Sequence, residues 1–359
     1  MQSTSEMPTA EILVERSGAL GHIRLNRPKA LNSLTLQMVR DMDAALDAFE
    51  PDPAVAAVLI SGEGERGLCA GGDIRAIYDA RTTGSDIATR FWSEEYRLNA
   101  RISHYPKPYV ACMDGLVMGG GVGVSVYGSH RIVTERTRLA MPETGIGFFP
   151  DIGASWFLTR RPGEGTTYIA LTGEIIGAGD AIALGLADSY VPSHRLQNLT
   201  DALKELPSDS TEEDVSALIA RFAEQPDDGP VAARREPIDR LFCFDRVEDI
   251  LTALDGDGSD FAIKAAQTLR SRSPISLKVT LRLLRLGRQT DQIEDCLERE
   301  LAATRAVLQS HDFYEGVRAA VVDKDRNPQW RPASLEEVTA EQVDAYFPAV
   351  HQRLFADRA

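Results

Sequence analysis

Short apolar runs bounded by glycine or proline crowd the first half of this chain and stop near residue 195. Residues 11–16 and 21–25 are rich in β-formers and flank Ser17-Gly18-Ala19-Leu20, a hairpin pattern. Residues 55–60 are apolar throughout, as a strand buried on both faces is, and residues 109–113 and 131–134, flanked by glycine or proline, read as further buried strands. Between the strands, Leu36, Val39, Met42, Leu46 and Phe49 recur at helical spacing, with Thr35 placed as the N-cap. Strands alternating with helices predict an α/β fold. After residue 195 the periodicity is helical only, over residues 261–269, 275–286, 293–308 and 313–322, and the acidic stretch 224–230 reads as a loop. The expected organisation is an α/β core over residues 11–195 and a helical region over residues 196–359 packed on it. A chain of 359 residues with 43% hydrophobic content has the material for both.

The net charge of −15 argues against nucleic acid as a partner. An anionic small molecule needs a local basic patch. Arg24, Arg27 and Lys29 offer one, although a solvated loop carries the same charges. The four cysteines form no C-x-x-C pair, so reduced thiols in a cytoplasmic protein are expected. The first ten residues hold neither the basic nor the apolar part of a signal peptide, and no apolar run approaches the ~20 residues of a membrane span. No H-E-x-x-H motif or Cys/His cluster suggests a metal. G-E-G-E-R-G at residues 62–67 has the glycine spacing of a dinucleotide loop but is not followed by a helix start. Ser125, in G-V-S-V-Y-G, does not sit in a hydrolase elbow.

Chemistry concentrates in three segments. C-A-G-G-D, residues 69–73, alone reads as a tight turn with Asp73 as a helix N-cap. M-G-G-G-V-G, residues 118–123, runs into Val124, Val126 and Tyr127, which predicts a buried helix beginning in the glycines. Two such turns can each aim one N–H at a single carbonyl oxygen, forming an oxyanion hole. A-M-P-E-T-G-I-G-F-F-P-D, residues 140–151, then supplies Glu143 and Asp151, each also suited to a helix start. A further carboxylate, Glu95, shares an apolar stripe with Phe91, Leu98 and Ile102 on the helix predicted over residues 88–102. Glu94 falls with Arg90, Arg97 and Arg101 on a charged face. A carboxylate on an apolar stripe needs a reason, because burying it unpaired is costly.

Taken together, L-N-R-P-K-A-L-N-S-L, G-L-C-A-G-G-D-I, D-G-L-V-M-G-G-G-V-G and A-M-P-E-T-G-I-G-F-F-P-D-I-G resemble the crotonase (enoyl-CoA hydratase/isomerase) superfamily, in order and in spacing. S-P-I-S-L-K-V-T-L and H-D-F-Y-E-G-V-R-A-A-V-V-D-K-D-R-N-P-Q-W are similar to its 3-hydroxyisobutyryl-CoA hydrolase branch. The resemblance runs from about residue 11 to residue 347, with residues 195–245 the part that matches no motif. It implies a spiral of ββα units with a helical C-terminal half. It implies that Gly72 and Gly120 give the oxyanion-hole amides. Backbone near Ala30, Leu31 and Ala70 would line the CoA groove, with Arg27 beside it. Glu95, Glu143 and Asp151 match acidic positions of that branch. Hydratases of this superfamily handle water with two glutamates; the second would fall at Gly123, which has no side chain.

The implied reaction is hydrolysis of a short branched β-hydroxyacyl-CoA, 3-hydroxyisobutyryl-CoA of valine breakdown, with no metal or cofactor beyond the CoA of the substrate. An enoyl-CoA isomerase or hydratase, and a non-catalytic binding protein on the same fold, are the alternatives. The resemblance also implies a homo-oligomer, a trimer or hexamer, unless the helical half blocks or replaces that interface.

Overall fold

The computed structural model describes residues 10–81, 85–349 and 353–356. Most of the first ten residues, where a signal peptide was not expected, therefore lie outside it.

Six strands form the main sheet: β1 (Ile12–Ser17), β2 (Leu20–Leu25), β3 (Ala57–Gly62), β5 (Tyr109–Met113), β7 (His130–Val133) and β9 (Ser189–Tyr190), side by side in that order. β1 and β2 are the expected antiparallel hairpin, turning at Gly18 with φ +59°. Every later pair in the sheet is parallel. Parallel strands need covered faces, and the central ones, β3 and β5, are accordingly apolar over Ala57–Ile60 and Tyr109–Met113.

A second parallel sheet, β4 (Gly67–Cys69), β6 (Leu116–Met118) and β8 (Arg138–Ala140), was not anticipated. Three residues are too few to show a period. Each of these strands ends in a turn that carries a suspected site residue: Gly72 after β4, Gly120 after β6 and Glu143 after β8. Because the strands are parallel and adjacent, the three turns emerge at one edge.

The helices fall where the periodicity put them. Leu36–Phe49 begins at Thr35, whose side chain accepts from the Met38 amide. Ile87–Ser103, Asp260–Ser271, Pro274–Gly287, Ile293–Val307 and His311–Val317 follow, the last continuing into a π-helical turn. The buried helix expected to begin in the glycine triplet does begin there, at Gly120, but it is short: it makes one α-turn, Gly120–Gly123, and continues as turns over residues 124–127.

Residues 195–245, without a motif, have a clear structural task. Helices Leu196–Lys204 and Glu212–Ala220 place Leu199, Leu203, Val215, Leu218 and Ile219 against one face of the main sheet, over Leu20, Leu59, Val110, Ile132 and Val191. The other face belongs to one large apolar cluster that reaches from Ile12 to Val343, so both halves of the chain share a core.

Candidate active site

Two glycine corners set the backbone donors. Gly71 has φ +103° and Gly119 has φ +48° and ψ −122°, conformations that a side chain resists. The Gly119 carbonyl accepts from Val122 and Gly123, which leaves the Gly120 amide at the open end of the turn. A Cβ placed on Gly120 would stand 3.4 Å from the Gly72 nitrogen, so the two corners are neighbours. Among the described residues, neither the Gly72 nor the Gly120 amide has an acceptor. Two free N–H groups in one place are the donors that an oxyanion needs. Phe91 packs over Gly72, where a Cβ would meet its ring at 3.0 Å.

The loop before the Leu36–Phe49 helix is laced to the first corner. Ala70 donates its amide to the Leu31 carbonyl at 3.0 Å, and Leu34 donates to the Gly71 carbonyl at 2.8 Å. Leu31 and Asn32 both take φ +54° to make that approach. Ala30, Leu31 and Ala70 thus lie together, half-buried, beside the oxyanion corner. Arg27 clamps the loop. It pairs with Glu11 and Asp73, each at 3.0 Å, and donates to the Ser33 carbonyl at 2.6 Å. The suspected basic patch is a correction, because Arg24 is likewise paired, with Glu63 and Glu15. Two of its three cations already face carboxylates.

Acidic side chains surround the second corner. Glu143 opens a 3₁₀ turn after Pro142 and is buried, with Oε2 unpartnered. A Cβ on Gly119 would lie 3.1 Å from its Oε1. Glu95, 2% exposed, points from the apolar stripe of the Ile87–Ser103 helix to within 2.5 Å of where a Gly120 Cβ would be, and its Oε1 also lacks a partner. Burial pushes both carboxyls well above the usual carboxylate range, and the charge of Asp151 adds to the effect on each. Asp151 is itself pushed up to about 7 by burial, against the hydrogen bond it accepts from Tyr96.

Two expectations about these acids need correction. Asp151 is not an N-cap: Gly153 caps the short helix Ala154–Phe157, and Asp151 instead accepts from the Tyr96 hydroxyl at 2.8 Å. Glu94 does pair with an arginine, but with Arg40 at 2.6 Å on the Leu36–Phe49 helix. Arg101 reaches Asp43, Asp47 and Glu50 on or beside that same helix. The charged face therefore docks one helix on another. Asp73 does cap the helix Ile74–Ala80, through the Ala76 amide.

Several residues near the acids were not foreseen. Tyr96 also bonds Thr304 at 3.2 Å. Glu300, one turn before Thr304 on the Ile293–Val307 helix, accepts from the amides of Gly153 at 2.6 Å and Ser155 at 2.9 Å and from the Ser155 hydroxyl at 2.6 Å. It lies among Cys296, Leu297 and Leu301, so an acid on an apolar stripe, the signal that found Glu95, would have found it too. Asn99 is fully buried, and among the described residues neither of its amide atoms has a partner. At Gly123 a Cβ would meet Asn99 Nδ2 at 2.9 Å and Ile152 at 3.2 Å, so those two side chains fill the space beside the missing glutamate.

A family model described as enoyl-CoA hydratase/isomerase matches residues 20–347. The chain belongs to the enoyl-CoA hydratase/isomerase family. It is 43% identical to the mitochondrial 3-hydroxyisobutyryl-CoA hydrolase of Danio rerio, over 96% of this chain and 91% of the relative. It is 41% identical to that of Homo sapiens, over 95% and 89%. Among solved structures, a carnitinyl-CoA dehydratase from Mycobacterium thermoresistibile superposes with a TM-score of 0.90 at 46% identity, over 96% of this chain and 98% of that one. An enoyl-CoA hydratase from Rhodobacter sphaeroides gives 0.86 at 38% identity, over 94% and 97%. The enoyl-CoA hydratase/isomerase fold expected from the motifs, a crotonase-like α/β core with a helical C-terminal half, is therefore the one present. The names of the relatives place them in mitochondria and lend no support to a cytoplasmic location. Among the described residues no helix is long and apolar enough to cross a membrane.

Proposed function

We propose that this chain hydrolyses a short branched 3-hydroxyacyl-CoA, 3-hydroxyisobutyryl-CoA, to the free acid and CoA. The observation that carries the reading is the placing of the Gly72 and Gly120 amides, without acceptors among the described residues, beside Glu143, whose Oε2 is likewise without a partner there, with the space at Gly123 filled by Asn99 and Ile152. The two amides take the thioester oxygen, and Glu143 acts on the carbonyl carbon. As nucleophile, Glu143 forms a mixed anhydride and CoA leaves as thiolate; water then cleaves the anhydride and restores the carboxylate. As base, Glu143 takes a proton from the water that attacks. Asp151, steadied by Tyr96, orients the substrate hydroxyl or assists the water, and Glu95 lines the polar end. Ala30, Leu31 and Ala70 border the CoA arm, with Arg27 holding their loop.

The curated relatives carry the hydrolase name at 41–43% identity, which supports this reading. The two solved structures carry hydratase and dehydratase names, which favour chemistry at a C=C bond. Such chemistry draws on a second acid at Gly123, and the side chains packed there leave it no room. The reaction as proposed uses no metal or redox group. Valine breakdown as its setting, and a reducing compartment in keeping with four unpaired cysteines, belong to the same proposal.

The test is release of free thiol from 3-hydroxyisobutyryl-CoA, for the native protein and for Glu143→Gln. Native release, its loss in Glu143→Gln and retained thioester binding are expected. Near-native turnover by the variant would remove Glu143 from the mechanism. A single turnover in oxygen-18 water that labels the Glu143 carboxylate supports the nucleophile route.

A further inference from the structure

Three polar side chains line the glycine turn at successive steps. Glu143 approaches Gly119, Glu95 approaches Gly120, and Asn99 approaches Gly123. Glu95 and Asn99 are one turn apart on the Ile87–Ser103 helix, as Gly120 and Gly123 are nearly one turn apart on theirs, so the two rows run side by side. Each of the three side chains holds at least one buried atom with no partner among the described residues: Glu143 Oε2, Glu95 Oε1, and both Oδ1 and Nδ2 of Asn99. A buried polar atom left unpaired is destabilising, so four in one neighbourhood point to a polar guest.

The geometry points to Asn99 as a substrate-contacting residue that binds the 3-hydroxyl of the acyl group and thereby selects for hydroxylated thioesters. This deepens the hydrolase reading and rests on it. An amide suits a hydroxyl, because the hydroxyl can accept from Nδ2 while giving its own proton to a carboxylate of the ring. Position favours the hydroxyl over the attacking water. The water must stand within about 3–3.5 Å of the carbonyl carbon. Asn99 sits a further helical turn from the Gly120 corner, roughly 5 Å along the axis, which suits a group two carbons down the acyl chain. An amide also cannot exchange a proton as a glutamate does, so this device recognises the hydroxyl without supplying a second acid–base group where hydratases of the family have one.

The experiment is equilibrium binding, by calorimetry, of two non-hydrolysable thioether ketones: the analogue of 3-hydroxyisobutyryl-CoA in which a methylene separates the CoA sulfur from the acyl carbonyl, and the same compound without the hydroxyl. Native protein and Asn99→Leu are compared, with Asn99→Ala as a second variant. The native protein is expected to prefer the hydroxylated analogue by about ten-fold. Asn99→Leu is expected to lose that preference while binding the deoxy analogue as before. It should also melt no lower than the native protein, since an unpaired buried amide has been removed. A native protein without the preference, or variants that keep it, would overturn the assignment; so would loss of binding to both analogues together. Binding is read without turnover, so failure here is distinct from failure to release thiol, which tests the hydrolase reading.

Discussion

The charge on Asp151 bears on how Glu143 ionises. The charge on Asp151 is one cause of the raised Glu143 carboxyl, second only to burial, and the same charge raises Glu95. Whether Glu143 works as nucleophile or base it must be ionised, so activity should fall as pH drops through its raised value. Removing the neighbouring charge lowers the Glu143 value. Asp151→Asn is therefore expected to move the acidic limb of kcat/KM to lower pH, while the rate on the plateau falls because the group serving the substrate hydroxyl or the water is weakened. A full pH profile of both proteins checks this, and an unmoved limb would show that the two carboxyls are uncoupled in the working enzyme. Single residues also mark how far the sequence could be read. Glu95 announced itself as a charge among Phe91, Leu98 and Ile102. Asn99 did not, since a lone amide on a helix looks the same whether solvated or buried. Asp151 looked like a cap because its partner Tyr96 lies 55 residues earlier in the chain, beyond any local pattern.

At the level of elements, the turn that carries Asp151 is held from the helical half. Ile152 has φ +57°, a conformation that a β-branched residue adopts at a cost of roughly 1–3 kcal/mol. Its carbonyl accepts from Tyr127 at 2.6 Å, and the next amide, Gly153, donates to Glu300 at 2.6 Å, so the peptide between them is gripped at both ends. Glu300→Ala would leave the Gly153 and Ser155 amides without an acceptor inside the core. A loss of about 1–3 kcal/mol for each buried group left unpaired is expected, read as a lower denaturant midpoint. A fall in kcat should accompany it as the turn relaxes and Asp151 shifts. Thr304→Val removes only the second partner of Tyr96, keeps the Tyr96–Asp151 bond, and should cost about 1 kcal/mol or less. Equal midpoints for native and Glu300→Ala proteins would show that the turn holds itself. The long helices and the main sheet were legible because each repeats its period several times. β4, β6 and β8 were not, although they set the site, because three residues carry no period.

Across the whole molecule, the helical half does more than cover an independent core. Without Leu196–Lys204 and Glu212–Ala220, five apolar side chains, four on the sheet (Leu20, Leu59, Val110 and Ile132) and one just after it (Val191), would face water. At roughly 1.5–3 kcal/mol for each large apolar side chain, that loss is comparable with the 5–15 kcal/mol that typically holds a protein folded. The aromatic stack beside the site spans the halves as well. Trp92 and Phe148 lie 5.3 Å apart, and Phe148 and Phe313 5.6 Å apart. Ending the chain at residue 195 removes Phe313, Glu300 and Thr304 together, and with them the hydrogen bonds that hold Tyr96 and the Gly153 amide beside Asp151. A protein of residues 1–195 is therefore expected to show no cooperative thermal transition by circular dichroism and to release no thiol, even though it keeps Gly72, Gly120, Glu95, Glu143 and Asp151. A sharp melt in that fragment would mean that the spiral closes its own core. Folding without thiol release would then separate the two contributions of the helical half, leaving it the task of holding the Asp151 turn and not that of holding the sheet.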